Sequence, residues 1–334
     1  MRKSSLSPFC EKKVPVTFLE GKMKKILTLS IALILVAGIL SLAKSADIDT
    51  DTGGPSTAYP KDRHIVKTST GVVVIYWRAF SPNTGIRGKK STDNGATWTN
   101  LGNGSGSTLI GSGSGSGNDF SICLDSSTNN IYVAYKESND IYFKKLTYSV
   151  SAGTWTPGVQ QSVEDLDNND TAHPSITRES DGDIWVSYGY YEAGGKVRSR
   201  YSTDEFQSSK VIRDVTSSHS GSYEDNYWSA LVIRNGNPFI VYADMHESRY
   251  KWSYWTGTSW ASTGTITDTD LPNSGDDFSI TMVGSDVHFV YNQSGAGIKH
   301  RYYNGTSWSD PATTLSASTS DKNVNLATDG TNLW

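Results

Sequence analysis

The chain of 334 residues contains 31 Gly and 18 Tyr, is 36% hydrophobic, 11% aromatic and 19% charged, and carries a formal charge of −4. So many aromatics exclude collagen, coiled coil and extended disorder, none of which builds an aromatic core. The only long apolar run, residues 26–43, excludes a polytopic membrane protein, and the length suits two domains or one large all-β domain.

The first predicted element is a leader. Lys24 and Lys25 form a basic segment, Ile26 to Leu40 an apolar one, and Ser41-Leu42-Ala43 or Ala43-Lys44-Ser45 a small-residue cleavage site, so residues 23–45 read as an export signal. Such signals normally begin at the initiator Met, so residues 1–22 read as a misassigned upstream extension. Leu19-Glu20-Gly21-Lys22 is encodable as the purine-rich run of a bacterial ribosome-binding site just ahead of Met23. Left uncleaved, the leader would be a membrane anchor, the one membrane contact expected. Residues 1–45 hold eight Lys/Arg and two Glu, leaving 22 basic against 32 acidic residues, a net −10, on residues 46–334. That charge argues against nucleic acid as a partner, and the expected location is secreted, periplasmic or cell-surface. Cys10 falls in the leader and Cys123 stands alone after it, so stability must come from a core and not from disulfides.

Beyond the leader one phrase recurs: an apolar strand, a polar turn and a second strand ending in Tyr. The second strands end at Tyr76, Tyr135, Tyr188, Tyr242 and Tyr291, spaced 59, 53, 54 and 49 residues apart. First strands open at Arg63-His64-Ile65, Asp119-Phe120, His173-Pro174, Tyr227-Trp228 and Asp277-Phe278, and third strands run to turns carrying Trp98, Trp155, Phe206, Trp260 and Trp308. Period-two runs of Val, Ile, Tyr and Trp between Gly, Asn, Asp and Ser clusters predict short strands and no helix. About fifty residues and four strands per unit is a propeller blade, which hides its sheet edges radially. A β-sandwich does not explain five aligned copies. The prediction is therefore all-β, a six-bladed β-propeller of four-stranded antiparallel blades over residues 46–334. A sixth copy begins at Asn323-Val324-Asn325 and stops in mid-strand at Trp334, so the sixth blade is expected to be truncated. Gly102 to Asn118 is a Gly/Ser-rich connection in which Ser107 to Ile110 is a candidate fourth strand.

Ser91-Thr92-Asp93-Asn94-Gly95-Ala96-Thr97-Trp98 fits S-x-D-x-G-x-T-W at each fixed position, with Ser91, Asp93, Gly95 and Trp98 predicted to be structural. The Asp carboxylate accepts backbone N–H groups, Gly supplies positive φ and Trp packs the turn on the sheet. Degenerate copies sit at Ser202-Thr203-Asp204, Thr256 to Trp260 and Asn304 to Trp308. This octapeptide is the Asp box, and the chain resembles the sialidase-like (neuraminidase) propellers built from such repeats. The resemblance implies a secreted glycoside hydrolase in which arginines grip an anionic sugar and a carboxylate serves as acid/base. Arg63 and Arg78 match two of the family's arginines, although Arg63 lacks the proline that follows its isoleucine in that family, and the remaining arginines are not found apart from a spare Arg249.

In a propeller the first-strand starts and the loops after second strands share one face, which here gathers charge, His and aromatics suited to sugar hydroxyls and ring faces. The catalytic candidates are Asp119 or Glu137 as acid/base, and His173. Arg63, Arg78, Tyr190, Tyr191, Asp225, His246, Arg249 and Asp277 are the candidate sugar-binding residues. His173 with His246 and Tyr190 or Tyr191 would equally supply the base and acid of a lyase on uronic-acid glycans. A non-catalytic carbohydrate- or protein-binding or adhesion propeller is the other alternative. Asp119, Asp225 and Asp277 recur at one position, either capping strand starts or holding a hard cation such as Ca²⁺. No contiguous oxygen-ligand loop supports a metal, and no cofactor is expected.

Overall fold

The computed structural model describes residues 64–78, 85–101, 108–110, 119–138, 140–166, 173–190, 195–216, 228–261, 264–266, 277–321, 324–328 and 331–333, with backbone only for Trp77, Arg78 and residues 108–110. The predicted export signal and the predicted site residues Arg63, Tyr191 and Asp225 lie outside the described residues.

Twenty-two strands form five antiparallel sheets among the described residues, each a meander running outward from its first strand. Blade one is β1 (Ile65–Thr68), β2 (Gly71–Arg78) and β3 (Gly85–Ser91), with an outer edge in two pieces, β4 (Thr99–Asn100) and β5 (Thr108–Ile110), both on β3. Blade two is β6 (Phe120–Asp125), β7 (Asn130–Glu137) and β8 (Asp140–Ser149), edged by β9 (Thr154–Pro157) and β10 (Gln161–Glu164). Blade three is β11 (Ser175–Arg178), β12 (Ile184–Tyr190), β13 (Lys196–Ser202) and β14 (Val211–Asp214); blade four is β15 (Ser229–Arg234), β16 (Asn237–Asp244), β17 (Arg249–Tyr254) and β18 (Gly264–Thr265). Blade five is β19 (Phe278–Val283), β20 (Asp286–Gln293), β21 (Gly297–Tyr303) and β22 (Thr313–Ser316). The expected fourth strand near Ser107 to Ile110 is β5. Among the described residues no helix is long and apolar enough to cross a membrane.

Alternation along each strand sends one set of side chains toward each neighbouring blade, and apolar clusters fill the gaps between consecutive sheets. Val73, Ile75 and Ile86 of blade one meet Phe120, Ile122 and Val133 of blade two; Trp185 and Val197 of blade three meet Leu231 and Ile240 of blade four. The recurring Tyr76, Tyr135, Tyr188, Tyr242 and Tyr291 are all buried, which makes them packing residues. Where the first hairpin turns, Gly71 has φ +145°, and a Cβ there would stand 2.1 Å from the Ser91 carbonyl oxygen. No other residue fits that approach.

The inner strands β1, β6, β11, β15 and β19 together line an axial cavity of about 340 Å³ with residues such as Val66, Cys123, Thr177, Ile233 and Met282. The number of blades differs from the prediction: five sheets, not six, are present among the described residues. The sixth copy of the phrase contributes a single bridge, Thr328 to Leu333, and no sheet. It lies along β19 nonetheless. Leu326 N–H donates to Ser279 Oγ at 3.2 Å, repeating the bond at 3.1 Å by which Leu231 N–H of blade four reaches Ser175 Oγ of blade three. Thr328 joins the five inner strands in lining the axial cavity.

Candidate functional site

Antiparallel pairing returns each second strand to the start of the first, so His64, Asp119, His173, Trp228 and Asp277 ring one end of the axis beside the ends of β2, β7, β12, β16 and β20. Asp119 and His173 are brought together, with Nδ1 of His173 3.3 Å from the carboxylate. Both are buried, and the His173 ring lies flat on Trp228 with centroids 3.4 Å apart. Asp277 caps its strand: its carboxylate accepts Asn292 Nδ2 at 2.9 Å and Val324 N–H at 3.2 Å. Glu137 accepts a bond from Gln160 at 3.2 Å, away from that pair. His246 and Arg249 are exposed on the β16–β17 turn, and Arg78 ends β2. Among the described residues, then, the face assembles Asp119 with His173 and leaves the other candidates dispersed.

Tyr190 belongs to a cluster that composition does not reveal. Arg198 stacks on its ring at 3.7 Å and donates to Asp214 at 2.8 Å. One pleat along, Arg200 of blade three grips Glu164 of blade two through Nε and Nη2, each at 2.6 Å, and the Tyr188 hydroxyl donates to the same carboxylate. Burial, then the Glu164 charge, push the Tyr188 hydroxyl well above its ordinary range. This is a clasp between blades, closed to solvent.

The opposite face carries the turns after the third strands. In the Ser91 to Trp98 turn, Ser91 Oγ accepts Gly95 N–H at 2.7 Å, while Asp93 accepts Thr97 N–H at 2.8 Å and Thr97 Oγ1 at 2.6 Å. Those bonds, the Thr97 hydroxyl first, hold the Asp93 carboxyl at about 2. The Ser202 turn repeats the pattern with Phe206, at φ 62°, in the place of Gly95. Asp93 and Asp204 both spend their carboxylates on their own turns.

That same face holds more than turns. Between blades four and five opens a cleft of about 530 Å³. Phe239, Trp255 and Tyr303 form its buried floor, Tyr254 is an exposed aromatic wall, and Arg234, Asn235 and Asn237 supply polar groups. Arg234 is anchored by Nε donating to the Ser285 carbonyl at 3.1 Å, and its guanidinium lies 5.1 Å over the Tyr303 ring. Gly305, at φ +103°, leaves room for it, since a Cβ there would come within 2.2 Å of Nη2. One planar cation, two amides and four aromatic side chains in a preformed cleft of this volume suit a saccharide. The sequence held a partial signal: Trp and Tyr recur at the ends of third strands, but only the register brings Arg234 to them.

The acidic side chains that gather among the described residues are Glu179, Asp181 and Asp183 on the β11–β12 hairpin, within 4.8 Å of one another. Burial, abetted by the two aspartates and opposed by the Trp185 N–H bond, raises the Glu179 carboxyl to about 7.

No family model matches the chain. None of the curated proteins matches it either. It is similar to a protein of unknown function from Dyadobacter fermentans, with 13% identity over 82% of this chain and 86% of that one and a TM-score of 0.57. It is similar to AofleA from Arthrobotrys oligospora, with 11% identity over 79% and 73% and a TM-score of 0.58. A fungal lectin from Aleuria aurantia, described as a six-bladed β-propeller with a novel fucose recognition mode, has 18% identity over 79% and 81% and a TM-score of 0.50. Identities this low establish the propeller fold and nothing finer. The resemblance to sialidases does not hold: no family model matches the chain, the lectin from Aleuria aurantia is among the structures that share its fold, and among the described residues five blades stand where six were expected. The arginine roles carried over from that family lose their basis.

Proposed function

We propose that the protein is an exported, non-catalytic glycan-binding propeller that seats a neutral saccharide in the cleft between blades four and five. The observation that carries this reading is the convergence of Arg234, Asn235 and Asn237 on a floor of Trp255 and Tyr303 with Tyr254 beside it. Arg and Asn groups bond ring hydroxyls while an aromatic face covers the C–H side of the sugar. The fold shared with a fungal lectin supports the reading, and the net −10 of residues 46–334 disfavours polyanionic glycans. The leader's layout supports export to the periplasm, the cell surface or the medium.

A glycan array followed by calorimetry on the best ligand tests it. Arg234→Ala removes charge-assisted bonds worth about 1.5–3 kcal/mol, so affinity should fall roughly ten- to hundredfold. Gly305→Ala, which crowds the Arg234 guanidinium without touching the ligand, should weaken binding as well. Binding that both variants leave unchanged would remove the cleft from the reading, and no binding to any glycan would remove the function.

A second reading has one observation in its favour, the contact of His173 with Asp119 at the end of the axis. A lyase acting on uronic-acid glycans would use such a pair as base and its positioning partner. The ultraviolet absorbance of an unsaturated uronate product, abolished by Asp119→Asn, would establish it.

A further inference from the structure

The axial cavity lies toward the end of the axis where first strands turn into second, since the closing residues of the inner strands line it: Leu124 in β6, Arg178 in β11, Ile233 in β15 and Met282 in β19. Val66, Leu124, Ile233 and Met282 are partly exposed although they stand on the innermost strands of their blades, so the apolar surface they leave uncovered faces this space. Arg178 is the one cation among the described residues of the lining, and it is engaged by Asp125 at 3.6 Å and by the Glu179 carbonyl at 3.2 Å. The hydroxyls beside it, Thr177 and Thr281, are neutral. Such a lining suits an uncharged aliphatic chain and not a fatty acid, whose carboxylate would meet Asp125 beside that cation.

This cavity and the saccharide cleft share a wall. Ile233 lines the cavity and Arg234 the cleft, and these consecutive residues of β15 have Cα atoms about 3.8 Å apart. Alternation along the strand lets one side chain serve each space. We propose that the two form one bipartite site for an amphiphilic glycoside, with its saccharide in the cleft and its alkyl aglycone in the axial cavity. The inference rests on the glycan-binding role of the cleft. The chain would cross the β15–β16 turn, where a Cβ on Gly236 would meet nothing within 4 Å. A cavity of roughly 150 Å³ holds a benzene ring, so one of about 340 Å³ has room for a chain of roughly eight carbons. Burying that chain covers the apolar walls that the five inner strands leave open.

Calorimetry on the full chain tests this with n-alkyl glycosides of glucose, galactose and fucose, methyl to dodecyl, each below its micelle concentration. Affinity should rise about two- to fourfold for each added methylene up to octyl and level off beyond it. n-Octanol, which has the chain without the sugar, should bind roughly tenfold or more weakly than the octyl glycoside, and Arg234→Ala should weaken the octyl glycoside as it weakens the methyl one. Thr281→Leu and, on another strand, Val66→Phe put added carbon into the cavity and leave the residues of the cleft in place. In each, the gain from methyl to octyl, measured within that protein, should shrink by roughly tenfold or more. Glycosides that bind with no gain from chain length, or with a gain that both variants preserve, overturn the bipartite site and leave the saccharide cleft standing. A gain that n-octanol reproduces and Arg234→Ala leaves intact overturns both, because the chain then binds without the cleft. No binding by any glycoside ends the two together.

Discussion

Single residues in this chain show when a local pattern suffices and when it does not. Asp93 was legible because its partners lie within four residues, and the turn satisfies itself wherever it sits. Ser91 is its buried element, and Ser91→Ala leaves the Gly95 N–H without an acceptor, a loss of about 1–2 kcal/mol readable as a lower urea midpoint. Glu179 was not legible, since its environment is made by Trp185 and by two aspartates folded back across the hairpin. Its carboxyl rises from the ordinary 4.5 to about 7, so between those values the native state keeps a proton that the unfolded chain has released. Stability therefore falls as pH rises through that window, by about 1 kcal/mol after solvent screening. Glu179→Gln keeps an acceptor for the Trp185 N–H and removes the loss. Its urea midpoint should match wild type in acid and exceed it in alkaline solution; equal pH slopes in the two proteins would contradict the assignment.

Elements were read well from the recurring phrase, because alternation and turn residues act within one hairpin. Val73 to Tyr76 and Tyr132 to Tyr135 announce second strands in the sequence and lie in second strands of the fold. What joins the blades was hidden, since Glu164 and Arg200 are 36 residues apart and only stacking of β10 beside β13 makes them a pair. Arg200→Met strands the buried Glu164 carboxylate beside the Tyr188 hydroxyl, and about 3 kcal/mol should be lost in denaturant unfolding. A loss below a few tenths would mean that Arg198, whose Nη1 is 3.9 Å from Glu164, takes over. Ser175 and Ser279 act at the same scale, each accepting a backbone N–H of the following unit. Ser279→Ala should raise hydrogen exchange at Leu326 while leaving β15 protected; unchanged exchange at Leu326 would deny the bond a role.

At the scale of the molecule, the propeller followed from repetition, but the number of blades did not. Counting phrases gave six, whereas a blade needs four strands, and among the described residues the sixth phrase supplies an inner segment only. The cleft was missed for a geometric reason: its residues come from hairpins near positions 234, 254 and 303, each bland in isolation. Charge and histidine drew attention to the other face, where Asp119 and His173 face each other in a buried setting. Circular dichroism of Arg234→Ala should match wild type, because the side chain spans the cleft and its anchor is one backbone carbonyl. A lost spectrum would assign it to folding instead of recognition. The serine bonds between units also set a direction in time. In each, the hydroxyl belongs to the earlier unit and the N–H to the later one. A chain emerging from the ribosome therefore presents these two serine acceptors before their donors exist, whereas Arg234, whose acceptor is the Ser285 carbonyl of blade five, must wait for the later blade.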